Sequence, residues 1–199
     1  MELRSPSQSE HQQTLADIFG RTFSDYWARK EYVTDGYITD SPYDWEASRI
    51  GVDEGEVATH FGVWDFGMRV GRSVVRVAGI GAVATLKTHR GKGLMAETAA
   101  DCVDHLDEAG YDVSLLFGIP NFYHRFGYVV SFSEIRFALL TREIKAAEHA
   151  VQYERFEGDV RELAAQYNEE NAGVTGTYVR PTYGRNRKPK QFHVFRFDD

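Results

Sequence analysis

The sequence predicts an α/β fold, a mixed central sheet with helices on both faces, and three observations predict it. The run SVVRVAGIGAVATL, Ser73 to Leu86, is apolar and rich in Val and Ala, as a buried strand is. A basic glycine loop, THRGKG, follows it, and then Gly93 to Ala109 carries one apolar face at helical spacing. Asp112 to Phe117 is a second short apolar run, and two strands joined through a helix lie parallel. The sheet is mixed because Glu56 to Phe66 and Arg72 to Leu86, with GMRVG as the turn, read as an antiparallel pair.

In chain order, Leu15, Ile18, Phe19 and Phe23 recur at helical spacing, so Ser7 to Phe23 is the first helix. The segment from Tyr32 to Trp45 interleaves Tyr32, Tyr37, Tyr43 and Trp45 with Asp35, Asp40 and Asp44, and Ser41 and Pro42 carry the marks of a helix start. Aromatic faces and carboxylates together suit a cationic amine. The plainer reading is a solvated loop whose aromatics fold onto the core. Gly79 and Gly81 read as a bend or bulge in their strand. The helix after the loop puts Met95, Thr98, Cys102, Leu106 and Ala109 on its inner face, and Gly110 ends it. On that face Cys102 is a packed thiol rather than a nucleophile.

Beyond Leu140, Thr141 to Ala150 and Asp159 to Tyr167 read as helices. From Asn171 to Phe197 there is no acidic residue, while Arg180, Arg185, Arg187, Lys188 and Lys190 gather. A solvated linker is the expected reading, with binding to RNA or an acidic surface as the alternative. The terminal QFHVFRFDD alternates as a strand does.

The loop carries the chemistry. Gly91 and Gly93 keep no side chain between backbone and anion, Arg90 and Lys92 add positive charge, and the following helix turns its free amides and positive dipole end toward the loop. By itself RGKG fits a phosphate site and a plain basic surface loop equally well. Two better-known phosphate motifs fail here. A P-loop needs Ser or Thr after GK, and Gly93 follows Lys92. Gly79, Gly81 and Ala84 match a dinucleotide GxGxxA, but AVATL continues as strand where a helix should open.

The loop from Thr88 to Gly93 and the later NFYHRFGY, Asn121 to Tyr128, stand in order about thirty residues apart. Together they resemble the Q/RxxGxG/A loop and YxxFGY signature of the GCN5-related N-acetyltransferases, a family whose central sheet is splayed. Within it, THRGKGLMAETAA with YHRFGY looks most like the N-terminal domain of enhanced-intracellular-survival-type acetyltransferases, and Thr88 departs from the family's Gln or Arg. The resemblance implies acetyl-CoA as co-substrate, held by the main chain of Val83, Ala84 and Thr85 along the pantetheine arm. It implies that the amides from Arg90 through Gly91, Lys92, Gly93 and Leu94 to Met95 hold the pyrophosphate, with Asn121 touching pantetheine from the other side. An amide near Val83 would face the oxyanion, and Tyr123 would be the general acid that protonates the departing thiolate. The alternative for Tyr123 is a packing role with Phe122, Phe126 and Tyr128. The implied function is acetyl transfer to a primary amine by direct attack, the amine being a small molecule or a peptide. A catalytically inactive domain that binds CoA or a regulatory ligand is the alternative. No general base emerges from spacing; His60, Asp65 and Glu56 share a strand.

With 199 residues, 42% of them apolar, the chain is long enough for one substantial domain. The expected division is an acetyl-CoA-binding domain over 1–140, then a helical extension, basic linker and terminal strand over 141–199, the strand a candidate opening of a second such domain. A net charge of −7 argues against general nucleic-acid binding and favours cationic partners. No apolar run reaches membrane length, MELRSPSQSE lacks a signal core, and the single cysteine allows no internal disulfide, so a cytoplasmic location is expected. His60, His89, His105 and His124 are too scattered for a paired ligand motif, so no metal site is expected, and His124 reads as a structural histidine. Self-association is left open.

Overall fold

A computed structural model of the chain describes residues 1–23, 37–39, 41–132, 138, 153–156, 158–181 and 195–197. The helix expected over Thr141 to Ala150 lies outside the described residues, as do Tyr32, Asp35, Asp40, Arg185, Arg187, Lys188 and Lys190.

The elements in order are β1 (Glu2–Arg4), α1 (Gln8–Thr22), β2 (Arg49–Asp53), β3 (Glu56–Val70), β4 (Ser73–Thr85), α2 (Leu94–Glu108), β5 (Val113–Leu115), β6 (Tyr153–Arg155), α3 (Val160–Glu170), β7 (Tyr178–Val179) and β8 (Phe195–Phe197). Six strands form one sheet in the order β1-β2-β3-β4-β5, with β7 joining β3. All neighbours are antiparallel except β4 and β5, which run parallel as the α2 crossover requires. A separate pair, β6 with β8, gives the terminal strand its partner.

Alternation along β3 builds two cores. Phe61 and Val63 face α2 and pack with Ala78, Ala99, Cys102 and Leu106. Trp64 faces the other way and packs with Leu15, Ile18 and Phe19 of α1 and with Ile50. Each large apolar side chain buried this way stabilises the fold by roughly 1.5–3 kcal/mol. The layering is helix, sheet, helix. Cys102 is fully buried and burial pushes its thiol up to about 12, so it sits there as a neutral packing group.

Three boundaries differ from the sequence expectation. The β3–β4 turn lies at Gly71 and Arg72 instead of GMRVG, because Met68 is buried and Arg69 is drawn into the sheet by the Tyr178 carbonyl at 2.8 Å and Asn168 Oδ1 at 3.0 Å. Those bonds also dock α3 and β7 onto the sheet. Ser41 and Pro42 start a turn instead of a helix, since Ser41 Oγ takes the Tyr43 amide at 3.2 Å. The strand expected to Phe117 stops at Leu115, and Phe117 is 93% exposed. Strands β1 and β2 escaped the sequence reading because they are short and lack marked alternation. Among the described residues no helix is long and apolar enough to cross a membrane, and no cluster of three His, Cys, Asp or Glu could hold a metal ion.

Candidate active site

α2 opens from a loop that glycine alone adopts without strain. Gly91 (φ 77°) and Gly93 (φ 84°) are left-handed, and nothing lies within 4 Å of the position a Cβ would take at either. Gly93 is the N-cap and no side chain caps the helix. The amides of Gly91, Lys92, Gly93, Leu94 and Met95 have no acceptor among the described residues, at the positive end of the α2 dipole. Arg90 differs: its amide meets the Lys87 carbonyl at 3.4 Å, and its Nε donates to the Thr85 carbonyl at 3.2 Å. The free amides are therefore those of 91–95, with Arg90 beside them as a charge. Asp53 lies 3.7 Å from Lys92 Nζ and 3.8 Å from His89 Nε2, and Thr88 is spent on His89 Nδ1 at 2.9 Å.

The strand before the loop changes character halfway. β4 pairs with β5 only from Val77 to Gly79; from Ile80 to Thr85 that edge carries no strand among the described residues, so the sheet is open there. A bulge sits just inside the opening. Gly62 faces Gly81 and His60 faces Ala84, so Phe61 stands opposite both Ala82 and Val83, and Ala82 is left-handed with φ 48°.

The extra residue reverses which backbone groups face the gap. Below it, the Arg76 carbonyl accepts from the Asp112 amide, so even-numbered residues aim at β5. Above it, the Leu86 amide donates to Ala58 on β3, so Ala84 also faces β3, while Val83 and Thr85 present N–H and C=O to the open edge. Side chains switch with the backbone. Ala78 and Ile80 pack toward α2, Ala84 and Leu86 toward α1, and Val83 turns back to the α2 side. Gly79 and Gly81 are not themselves the bulge; a Cβ at Gly81 would stand 2.9 Å from the Trp64 ring, and one at Gly79 would stand 2.8 Å from Phe66.

Past Leu115 the chain leaves the sheet and turns into a short 3₁₀ helix, Tyr123–Phe126. Asn121, left-handed at φ 59°, is exposed in that turn. The Tyr123 ring lies directly against the backbone of Gly118, where any Cβ would collide with it. It meets Phe122, Phe126 and Tyr128 edge-on, with centroids at 5.0, 6.2 and 6.2 Å. Half-buried Val83, Met95 and Tyr123 belong to one apolar cluster, which brings the open strand edge, the head of α2 and the phenol to one side of the sheet. Burial alone raises the Tyr123 phenol above its ordinary range, and its hydroxyl has no hydrogen-bond partner among the described residues. Tyr128, its neighbour, is tied to Ser114 Oγ at 2.6 Å and pushed up to about 12 by burial.

Residues 2–131 match the family model of the acetyltransferase (GNAT) domain. The chain belongs to the GNAT family. No curated protein matches it. Solved structures with a similar fold include Eis1 of Mycobacterium abscessus, 19% identical at a TM-score of 0.64 over 91% of this chain and 46% of that one. A probable N-acyltransferase of Enterococcus faecalis is 18% identical at 0.66, over 92% of this chain and 46% of that one. A GNAT acetyltransferase of Brucella melitensis, solved in complex with acetyl-CoA, is 18% identical at 0.54, over 65% and 82% respectively. At these identities the likeness is one of fold. This GNAT chain spans about half the length of the first two structures.

Of the site residues expected from sequence, the GNAT fold brings together Val83, Thr85, residues 91–95 and Tyr123, whereas Ala84 turns its backbone to β3. The three candidate bases are already engaged. His60 is fully buried with both ring nitrogens bonded, Glu56 meets Arg21 at 2.6 Å, and Asp65 holds Arg76 at 2.8 Å. The described part of the aromatic and acidic segment follows the plainer reading. Tyr43 and Trp64 are buried with Tyr37 and Trp45 packed on them. Asp44 is consumed structurally: burial pushes its carboxyl up, but the Tyr111 hydroxyl and the amides of Ala47 and Glu46 hold it below its usual range. Sequence reasoning missed Gly118, whose only signal was a glycine between two exposed apolar residues, and missed the contact of His60 with Ala82.

Proposed function

We propose that this chain is an N-acetyltransferase that moves an acetyl group from acetyl-CoA to a primary amine by direct attack, with Tyr123 as general acid. One observation carries the reading: among the described residues, the open edge of β4, the free amides at the head of α2 and a half-buried, unpartnered phenol meet on one side of the sheet. Free main-chain groups along a strand edge suit the amide-bearing pantetheine arm as an added strand. The 91–95 amides suit its pyrophosphate.

The residues divide the work as follows. Val83 and Thr85 present main-chain groups to the arm, and the Val83 amide donates to the carbonyl oxygen as negative charge develops on it. The amine nitrogen forms a bond to the carbonyl carbon and the carbon–sulfur bond breaks. Tyr123 gives its proton to the departing thiolate and is reprotonated, by way of solvent, by the proton that the amine nitrogen sheds as the amide forms. Burial keeps that phenol protonated at neutral pH. The proton lost by the ammonium before attack goes to water, because Glu56, Asp65 and His60 are all engaged.

That engagement also favours a second reading, a GNAT domain that binds CoA or a regulatory ligand without turnover. Thiol release from acetyl-CoA, followed with a panel of primary amines, separates the two. Amine-dependent thiol release that falls in Tyr123→Phe supports the enzyme. Tight acetyl-CoA binding without release for any amine supports the binder.

A further inference from the structure

We propose that His60 is the positioning residue of the transfer site: held by Tyr43, its imidazole grips the carbonyl of Ala82 and keeps the β4 bulge set, so that the Val83 amide stays aimed into the gap. The bulge leaves one carbonyl without a ladder partner, and a buried carbonyl left unpaired is costly. Here that carbonyl, on Ala82, meets His60 Nδ1 at 2.8 Å. A carbonyl only accepts, so Nδ1 carries the hydrogen and Nε2 carries the lone pair. The Tyr43 hydroxyl, 2.8 Å from Nε2, donates to that lone pair and fixes the tautomer. The ring is fully buried and is wedged edge-on against Phe19 at 4.8 Å, so it has nowhere to turn.

The consequence follows from the parity of β4. A left-handed alanine is disfavoured by roughly 1–2 kcal/mol, and flattening the bulge would relieve it. It would also return the strand to its lower register, in which Ala84 instead of Val83 faces the gap. His60 is the contact that opposes this. Tyr43 comes from the 41–47 turn, so the chain Tyr43, His60, Ala82 ties that turn to the strand edge.

Two arms test the proposal, and only the second rests on the transferase reading. In the ligand-free chain, nitrogen and carbon chemical shifts should show Nδ1-protonated His60 and left-handed Ala82 in the wild type, and loss of the left-handed signature in His60→Phe. Retention of left-handed Ala82 in His60→Phe would overturn the proposal whatever the chain catalyses. In the kinetic arm, His60→Phe should lower kcat on the order of 10²-fold, as loss of an oxyanion donor does, and should also weaken CoA binding, because Val83 and Thr85 then turn away from the pantetheine arm. Tyr43→Phe should act in the same direction by less. Ala82→Gly in the His60→Phe background should recover most of kcat without restoring thermal stability, since glycine holds the left-handed turn unaided. His60→Asn, which keeps a donor near Nδ1, serves if His60→Phe does not fold, and it should keep kcat within a few-fold. A kcat loss that tracks thermal stability across the series, with no rescue by Ala82→Gly, would reduce His60 to a core residue.

Discussion

The two halves of β4 are one strand in two states. From Val77 to Gly79 it is sealed: β5 pairs its edge and Ser114 reaches the Ala78 carbonyl at 3.5 Å, while Tyr128 is tied to Ser114. From Ile80 to Thr85 the same edge meets no strand among the described residues, the backbone parity is reversed at Ala82, and the Tyr123 hydroxyl has no partner among those residues. The two tyrosine rings have centroids 6.2 Å apart and burial raises both phenols, yet among the described residues only the Tyr128 hydroxyl has a hydrogen-bond partner. A phenol whose hydroxyl is bonded stabilises the fold, and one with no partner among the described residues keeps its O–H for a ligand in the gap. Among the described residues three features separate the halves: an extra residue, an edge without a strand and a hydroxyl without a partner.

The largest expected effect exchanges the two phenols. Tyr123→Phe should lower kcat about 10²-fold or more, the usual worth of a placed general acid, with little change in thermal stability. Tyr128→Phe should do the reverse, lowering stability by roughly 1 kcal/mol for one lost hydrogen bond while kcat stays within a few-fold. Steady-state kinetics and thermal melts on both variants check this, and equal kinetic losses would erase the distinction.

Acid stability comes next and reports on the bulge. Burial holds the His60 imidazole down to about 4, so the unfolded chain binds the extra proton between pH 6.5 and 4. Stability conferred by burying the neutral ring is present above pH 6.5 and is lost as pH falls through that window, on the order of 3 kcal/mol in all. His11, whose pKa burial also lowers, adds in the same direction. Urea melts from pH 7 to 4 should show the decline, and His60→Asn should flatten it.

A smaller effect sharpens the open half. Gly118→Ala places a methyl group against the Tyr123 ring and should swing the phenol away, lowering kcat about tenfold while acetyl-CoA binding persists. The smallest concerns the loop. Gly93→Ala imposes a left-handed alanine at φ 84°, a strain of about 1 kcal/mol, so the KM for acetyl-CoA should rise a few-fold at nearly constant kcat.

Much of this was legible in the sequence. The apolar strand, glycine loop, amphipathic helix and second strand are local patterns, and α2 runs from Leu94 to Glu108 much as its spacing indicated. Tyr123 and the 91–95 loop were picked out as candidates because each belongs to a short contiguous motif. The bulge was not. Its left-handed residue is an alanine, which carries no turn signal, and what sets it is His60, 22 positions away on another strand. Gly79 and Gly81 drew attention to the right strand, but those glycines serve the Trp64 and Phe66 rings. Gly118 was invisible for a similar reason, since its neighbour Tyr123 meets it only through a tertiary fold-back. Asp44 looked like part of a cation site until Tyr111, 67 positions away, claimed it.

The most direct test is a crystal structure of the chain grown with CoA. The account predicts diphosphate oxygens within hydrogen-bond reach of the amides of residues 91–95, the pantetheine arm along Val83 and Thr85, and the thiol beside the Tyr123 hydroxyl. CoA bound elsewhere, or bound in the gap with its sulfur remote from Tyr123, would contradict it.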